Sequence, residues 1–380
     1  MNETKSRLRG RIETVTIRGF RSLENIENLK LPQLTVLIGS NGAGKSNFIR
    51  FFDMLGWMLR GQNLQEFIAR NGYGDDQLFM GARKTPRIDA EICIETNLGY
   101  NDYRFGLAHV TAGDILIFVD EAYRYSNRIK GGNARWTVLN SAGFKEAGIL
   151  EAAQSSQGNQ TAATVVNLLK RCTIYQFHDT SSKANIKLPW DITDNFWLRS
   201  DGANLAAVLL RLQENDITRY KLITRQISRV LPTFGDFVLQ PAYGKVELRW
   251  RGKYGDKTFG AHLTSDGSLR LFCLLTLLNL PKEALPDVLF LDEPELGLHP
   301  HAITLVSEML KRLKHDRQVI IATQSPYMVD CFDLEDVIVA DLKGGATSLR
   351  TMPRAQYQEW LDDEYQVSDI WLKEMIGAAP

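Results

Sequence analysis

Nine residues, GSNGAGKSN (Gly39–Asn47), restrict the possible folds of this chain more than any other stretch. They follow a short apolar run, Leu34–Ile38, and precede a segment whose phenylalanines and leucines recur at helical spacing. Glycines in this pattern allow the backbone to bend until successive N–H groups surround a phosphate group. The nine residues therefore predict a phosphate-binding loop between a strand and a helix.

The side chains of this loop predict which ligands it binds. Lys45 is placed to reach the β- and γ-phosphate oxygens, and the Ser46 hydroxyl is placed to ligate Mg²⁺. We therefore expect ATP and Mg²⁺ as the cofactors. The expected ATP contacts are Gly39, Ser40, Asn41, Gly42, Ala43, Gly44, Lys45, Ser46 and Asn47.

A second stretch, DVLFLDEPELGLHP (Asp287–Pro300), supplies the carboxylates that such a loop needs. Its apolar run ends in Asp292 and Glu293, which is the pattern expected where a buried parallel strand ends. We predict that Asp292 holds the Mg²⁺ and that Glu293 is the catalytic base that polarises the attacking water.

Three stretches after the phosphate-loop helix alternate apolar and polar residues, with turn residues between them. They cover residues 87–96, 103–111 and 114–125, and they predict an antiparallel sheet. Further along the chain, residues 204–231 show a helical pattern and residues 237–250 return to a strand pattern.

Both ends of the chain therefore supply one nucleotide-binding core. We predict that residues 1–149 hold its N-terminal part, with the phosphate loop and the antiparallel sheet. Residues 150–235 are predicted to form an inserted, mostly helical lobe, and residues 236–380 to complete the core. The expected fold class is α/β, a P-loop NTPase core with an antiparallel β subdomain.

The composition limits the classes of partner. The 380 residues include 45 Lys and Arg and 45 Asp and Glu, which argues against a generally basic nucleic-acid coat. The four cysteines are far apart and form no CxxC pair, so we expect buried free thiols. The first thirty residues are polar and charged, and the longest apolar run, Leu271–Leu280, is too short to cross a bilayer. We expect a cytoplasmic protein with no membrane partner.

Two more motifs complete a series that resembles the ABC-type ATPases. LTSDGSLR (Leu263–Arg270) and VIIATQSP (Val319–Pro326) stand on either side of the DEPELGLHP motif, in the order seen in that family. More narrowly, the chain resembles a family of ATPases related to RecF, SMC heads and OLD-family ATPases. That likeness extends to IRGFRSLENI, YQFHDTSS and LRSDGANLAAVLLRL, and it implies an ABC-type ATPase head.

The resemblance also implies roles for single residues. In ABC-type ATPases, the signature motif at a helix N-terminus binds the γ-phosphate held by the other protomer, which implies this catalytic role for Ser265 and a matching contact for Gly267. Gln324 takes the catalytic switch position, where many relatives have histidine. Because a glutamine can hydrogen-bond the γ-phosphate or the water but cannot hold a charge, we expect slow turnover. Gln77 is the candidate for the Q-loop glutamine, and Glu295–His299 corresponds to the loop that passes between the two protomers' sites.

The implied function is a slow ATPase that dimerises head-to-tail on ATP and controls a partner effector protein, in DNA repair or phage defence. The alternative is a RecF-like clamp that binds DNA directly. Two mixtures of basic and aromatic residues favour this alternative, although solvated hairpin faces explain them as well. They are Tyr123, Arg124, Tyr125, Arg128, Lys130, Arg135 and Trp136, and Arg249, Trp250, Arg251, Lys253 and Tyr254.

Overall fold

The computed structural model describes residues 10–127, 134–139, 142–155, 159–363 and 365–372. The strands in these ranges are β1 (Gly10–Phe20), β2 (Leu23–Lys30), β3 (Leu34–Ile38), β4 (Arg87–Thr96), β5 (Gly99–Val110), β6 (Ile115–Asn127), β7 (Thr137–Val138), β8 (Thr173–Tyr175), β9 (Trp190–Asp191), β10 (Phe234–Phe237), β11 (Lys245–Val246), β12 (Arg249–Gly252), β13 (Thr258–Gly260), β14 (Val288–Asp292), β15 (Gln318–Thr323), β16 (Val337–Lys343) and β17 (Ala346–Thr351).

The helices of the same ranges are α1 (Lys45–Leu59), α2 (Leu64–Arg70), α3 (Ile149–Gln154), α4 (Gln160–Leu169), α5 (Leu205–Asn215), α6 (Ile217–Val230), α7 (Asp266–Leu278), α8 (Pro300–Leu313), α9 (Pro326–Val329), α10 (Arg354–Asp362) and α11 (Val367–Leu372). None of these helices is long and apolar enough to span a membrane.

A six-stranded antiparallel sheet has the order β2-β1-β4-β5-β6-β7. It confirms the sheet predicted from alternation, because β4, β5 and β6 cover the three predicted stretches and pair as neighbours. Along β4, Ile88, Ala90, Ile92 and Ile94 are buried at every second position, as expected for a sheet with one face in the core.

The central sheet has the order β17-β16-β3-β15-β14-β8. The strands from β16 to β8 pair in parallel, and β17 returns antiparallel to β16. Every residue of β3, β14 and β15 is buried, which is typical of a parallel sheet covered on both faces. Because these strands are parallel, their carboxyl ends lie along one edge of the sheet.

Two hydrophobic clusters cover the two faces of the central sheet. On one face, α1 lies between the two large sheets: the Phe51 ring is 5.7 Å from that of Phe20 in β1, and the Phe52 ring is 4.8 Å from that of Phe290 in β14. On the other face, residues of α5 to α9 pack against β3, β14 and β15. The fold is therefore α/β with α1 buried between a parallel and an antiparallel sheet.

The segment predicted as an inserted helical lobe, residues 150–235, contains α3, α4, α5 and α6. It also contains β8, the strand of the central sheet that pairs with β14. This segment therefore supplies part of the central sheet as well as helices, and the division of the chain into three parts stays a prediction.

The strand predicted over residues 237–250 is wrong as a single element. β10 ends at Phe237 and β12 begins at Arg249, with the short β11 between them. The chain turns at Tyr243 and Gly244, which have φ of 52° and 74°. A positive φ at two successive residues breaks a strand.

A buried glutamine joins the two large sheets. The Gln318 amide donates to the carbonyl oxygen of Ile12 at 2.8 Å and to that of Leu31 at 3.2 Å, and the Ile12 N–H donates back to Gln318 at 2.8 Å. Only 1% of Gln318 is exposed, so water cannot replace these bonds. The amide therefore fixes the start of β15 against β1.

We predict that Gln318→Leu lowers the free energy of unfolding by about 1–3 kcal/mol, because it leaves the buried Ile12 N–H and carbonyl groups without this partner. Urea unfolding followed by circular dichroism measures the change. As a control, Gln356→Leu alters an exposed glutamine on α10 and should change the free energy by less than about 0.5 kcal/mol. Equal stabilities of the two variants would contradict a bridging role for Gln318.

Candidate functional site

The phosphate-binding loop joins β3 to α1 at the carboxyl edge of the central sheet, as predicted. Gly44 adopts φ of 96°, and a Cβ atom there would collide with Oγ1 of Thr347. Glycine is therefore required at this position by both the backbone conformation and the neighbouring side chain. Asn41, Gly42 and Ser46 are exposed at the tip of the loop, where a ligand can reach them.

Two side chains from other parts of the chain hold the loop in place. Thr347 Oγ1 lies 3.0 Å from the carbonyl oxygen of Ala43 and 2.8 Å from the hydroxyl of Ser22. Asn47 donates its side-chain amide to the same Ser22 hydroxyl at 2.8 Å. The structure thus places the Asn47 side chain, a predicted ATP contact, in the support of the loop.

Lys45 lies inside the loop rather than on its surface. Its ammonium donates to the carbonyl oxygens of Gly39 at 2.6 Å and Ser40 at 2.9 Å. Burial lowers the pKa of Lys45, and the nearby carboxylates, with Glu293 first, act in the opposite direction. The Lys45 ammonium therefore lies where the loop backbone meets the acidic motif, Asp292 and Glu293.

Asp292 ends β14 and is buried beside the neighbouring strand. Its carboxylate accepts a hydrogen bond of 2.6 Å from Gln176, which directly follows β8, and its carbonyl oxygen lies 3.0 Å from Nε2 of His178. Burial raises the pKa of Asp292, and the hydrogen bond from Gln176 opposes this effect. Gln176 and Ser46 line the same cleft of about 270 Å³.

Sequence reasoning missed Gln176 and named Gln77 as the Q-loop candidate instead. In the structure, Gln77 is fully buried and bonds to the Arg21 guanidinium at 2.9 and 3.0 Å and to the Asn71 carbonyl oxygen at 3.0 Å. Its amide therefore supports the turn after β1, whereas Gln176 contacts the acidic motif.

Glu293 and Gln324 meet beside Asp292. The Glu293 backbone adopts φ of 45°, which is uncommon for a residue other than glycine, and its N–H donates to the Ala322 carbonyl oxygen at 2.8 Å. The side-chain amide of Gln324, which directly follows β15, donates to the Glu293 carboxylate. The structure thus brings the predicted base and the predicted switch residue into direct contact.

Ser265 lies at the N-terminus of α7, where the resemblance places the signature motif, and it caps this helix. Its exposed hydroxyl accepts from the Ser268 N–H at 3.3 Å and lies 2.8 Å from the Ser268 hydroxyl. At Gly267, a Cβ atom would collide with the carbonyl oxygen of Gly297, so only glycine fits. The signature helix therefore lies directly against the loop that follows Glu293.

Arg270 connects this helix to the acidic motif, and sequence reasoning gave it no role. Its guanidinium donates to the carbonyl oxygens of Phe177 at 3.0 Å, His178 at 3.1 Å and Leu296 at 3.1 Å. The segment FHDTSS (Phe177–Ser182) is thereby packed against α7. The arrangement joins α7, the turn after Gln176 and the loop after Glu293.

Part of each predicted nucleic-acid patch is committed to other contacts. Tyr123 and Trp250 are 5% and 8% exposed, so neither ring is free to stack on a base. Arg124 pairs with Asp102 at 2.5 Å, and Arg249 pairs with its neighbour Glu247. Arg128 and Lys130 of the first patch lie outside the described residues.

Family models match both halves of this site. The model described as "AAA ATPase domain" matches residues 11–95, which contain the phosphate loop. The model described as "AAA domain, putative AbiEii toxin, Type IV TA system" matches residues 165–330, which contain Gln176, α7 and the acidic motif. The chain therefore contains AAA-type ATPase domains, and its fold is that of an ABC- and SMC-type ATPase head. No curated protein sequence matches the chain.

Solved SMC heads share the fold of this chain. An SMC head bound to the C-winged helix domain of ScpA superposes with a TM-score of 0.57 at 16% identity, covering 92% of this chain and 99% of that one. The Pyrococcus yayanosii SMC head with a coiled coil and joint gives 0.51 at 12% identity, covering 93% and 99%. The Pyrococcus furiosus SMC head bound to the C-terminal domain of ScpA gives 0.50 at 14% identity, with the same coverage.

We predict that Glu293→Gln retains ATP binding and lowers kcat by about 10²–10⁴-fold, because an amide cannot accept the proton of the attacking water. Calorimetric titration with ATP and a phosphate-release assay measure the two quantities. As a control, Glu308→Gln alters an exposed glutamate on α8 and should leave both unchanged. Hydrolysis by Glu293→Gln at the parental rate would exclude Glu293 as the base.

Proposed function

We propose that this chain is a slow, Mg²⁺-dependent ATPase that closes head-to-tail into a homodimer on ATP and thereby controls a partner effector. One observation carries the catalytic part of the proposal. Lys45, the adjacent pair Asp292 and Glu293, and Gln324 come from three separate stretches of the sequence and meet at the carboxyl edge of the central sheet. Ligands bind at this edge in open α/β sheets.

Each of these groups suits one part of phosphoryl transfer. The loop N–H groups and Lys45 would hold the β- and γ-phosphates, and Ser46, Asp292 and the Gln176 amide oxygen are hard donors that suit Mg²⁺. When bound, Mg²⁺ neutralises the charge that develops on the phosphate oxygens. Glu293 would accept the proton of the attacking water, and Gln324, which already contacts Glu293, would orient that water. Since Gln324 is uncharged, turnover would be slow.

The surface around Ser265 supports a shared site. The hydroxyl lies at the N-terminus of a 13-residue helix, where the backbone N–H groups favour an anion. Leu263 and Leu296 flank it and are 69% and 40% exposed. A serine that only caps a helix does not explain this exposed apolar surface, and such surface often marks a contact with another protein. A second protomer that presents its ATP to Ser265 and Gly267 would cover both leucines.

Two comparisons support a partner effector. SMC heads of similar fold have been solved with a domain of ScpA bound, and we propose that this head also acts through a second protein. The description of the family model over residues 165–330 names a toxin and a TA system. We therefore propose phage defence as the setting, with DNA repair as the other candidate.

We predict that Ser265→Arg retains ATP binding and loses most hydrolysis, because the guanidinium would block dimer closure while the phosphate loop stays intact. In the Glu293→Gln background, the Ser265→Arg chain should remain monomeric with ATP, whereas Glu293→Gln alone should run as a dimer. Light scattering after size-exclusion chromatography measures the mass.

Ser265→Ala is the matched control for loss of the helix cap. Its effect on the free energy of unfolding should be about 0.5–2 kcal/mol, and Ser265→Arg should melt at a similar temperature. Full ATPase activity of Ser265→Arg would mean that the site is not shared, and the dimer would be rejected.

A basic stripe on α6 favours the second candidate function, a clamp that binds DNA directly. Lys221, Arg225 and Arg229 are exposed and follow one another at four-residue spacing. Within the described ranges, no ion pair with a carboxylate neutralises them. Like charges at this spacing repel one another and destabilise a helix. A bound anionic polymer such as DNA would neutralise them and remove this destabilisation.

We predict that, if the clamp function is correct, Lys221→Glu/Arg225→Glu/Arg229→Glu lowers DNA affinity at least tenfold and flattens its salt dependence. The slope of log K against log salt should fall by about one for each lost phosphate contact. Anisotropy of a labelled duplex measures both. Lys30→Glu/Lys145→Glu/Lys183→Glu changes three exposed lysines outside α6 by the same total charge and is the control. Equal affinities of the two triple variants would reject the stripe as a DNA site.

A further inference from the structure

Glu295 has a buried carboxylate that the proposed chemistry does not use. Its Oε1 accepts a hydrogen bond of 2.5 Å from the Thr323 hydroxyl, while its Oε2 is buried without a hydrogen-bond partner in the part of the chain described. Burial raises the pKa of this group, and the bond from Thr323, with smaller effects of the backbone N–H groups of Glu295 and Gln324, opposes the rise. A buried polar atom without a partner is destabilising, so a carboxylate here requires an explanation.

The orientation of Glu295 is also unexpected. The family resemblance implies that Glu295–His299 passes between two protomers, yet the Glu295 side chain is directed into its own protomer, onto the end of β15. The turn that carries it is closed by a hydrogen bond of 2.9 Å from the Leu298 N–H to the Glu295 carbonyl oxygen. The carboxylate is therefore held at Thr323.

Thr323 links Glu295 to Ser325, which begins the next helix. Its hydroxyl accepts from the Ser325 N–H at 3.0 Å, so the one proton of the hydroxyl is available to Glu295. Ser325 in turn caps α9 by accepting from the Met328 N–H at 3.2 Å. Gln324 lies between Thr323 and Ser325, and its amide donates to the Glu293 carboxylate.

We infer that Glu295 is a positioning residue that acts through Thr323 to hold Gln324 against the catalytic base Glu293. The inference rests on the proposed function, because it assigns Glu293 to hydrolysis. Glu295 touches neither nucleotide nor water in this role. It fixes the Thr323 hydroxyl, and the hydroxyl fixes the Ser325 N–H. The backbone between them is thereby held, and it sets the position from which the Gln324 side chain reaches Glu293.

The same geometry explains why a strong acceptor is needed at position 295. The Ser325 N–H occupies one lone pair of the Thr323 hydroxyl, and the single proton of that hydroxyl is directed at the Glu295 carboxylate. A carboxylate oxygen is the strongest acceptor among the side chains. If the acceptor is lost, the hydroxyl can rotate away from Ser325, and Gln324 is no longer fixed.

Removal of either partner should therefore affect kcat and leave ATP binding unchanged. Glu295→Ala and Thr323→Val should each lower kcat by about 10²-fold, the effect expected for a catalytic group misplaced by about 1 Å. Thr323→Ser keeps the hydroxyl and should restore most of the rate. Thr276→Val is the matched control, because the buried Thr276 hydroxyl has no hydrogen-bond partner among the described residues.

A double-mutant cycle with Gln324→Ala tests whether the effect passes through Gln324. We expect Glu295→Ala to lower kcat in the parental protein and to have little further effect once Gln324 is alanine. Steady-state phosphate release gives kcat, calorimetry gives the Kd for ATP, and thermal melting tests the fold. Parental kcat in Glu295→Ala, or an equal loss in the Gln324→Ala background, would overturn the inference.

Failure of the inference can be told apart from failure of the proposed function. If Glu293→Gln is inactive while Glu295→Ala is fully active, Glu293 remains the base and only the positioning role is lost. If Glu293→Gln hydrolyses ATP normally, the proposed function itself is wrong. Should Glu295→Ala not fold, the Thr323→Val and Thr323→Ser pair tests the same link, and equal kcat in these two variants would overturn it.

Discussion

The hydrogen bond between Thr347 and the Ala43 carbonyl oxygen supports the phosphate-binding loop, and the rest of the site depends on this loop. A loop with Gly44 in the left-handed region and a lysine folded into its interior has few bonds of its own to hold its shape. The support comes from Thr347 in β17 and from Ser22 between β1 and β2. The partners lie more than 300 positions apart in the sequence, so the loop takes this form only when both ends of the chain are folded together.

Parallel strands explain why the remaining groups meet at the same place. β3, β8, β14 and β15 each deliver their next residue to the carboxyl edge of the central sheet, and those residues include Gln176, Glu293 and Gln324. The unusual backbone of Glu293 follows from this crowding, because its N–H still bonds to Ala322 in β15 while its side chain turns toward Gln324. Strain of this kind persists only where the surroundings determine it, and it is frequent at active sites.

The groups that sequence reasoning found are those carried by local patterns. A glycine-rich turn after an apolar run and a pair of acids at a strand end can each be recognised without knowing the fold, and both are where they were predicted. Gln176 was missed because β8 has only three residues, too few for an alternating pattern to show. Only its pairing with β14 reveals that Gln176 stands beside Asp292.

Tertiary contacts also decided the cases where pattern reading failed. Trp250 sits in a run of basic residues, but its indole is buried and donates to Thr264 at 2.9 Å, so its partner lies outside the run. The role of Thr347 was invisible because one hydroxyl in an ordinary strand carries no motif. Likewise, nothing in the local sequence of α7 distinguishes Arg270 from a solvated arginine.

Arg270 has a mechanical consequence. By holding three carbonyl oxygens at once, it makes α7, the turn at Phe177 and His178, and the loop at Leu296 parts of one rigid body. His178 contacts the Asp292 carbonyl oxygen, so this body includes the edge that would hold the metal ion. In the proposed dimer, ATP held by one protomer would contact the signature helix α7 of the other protomer. A shift of that helix would therefore move the ATP site of the protomer to which the helix belongs. Such coupling is reciprocal, and the two sites would fill cooperatively rather than as independent halves.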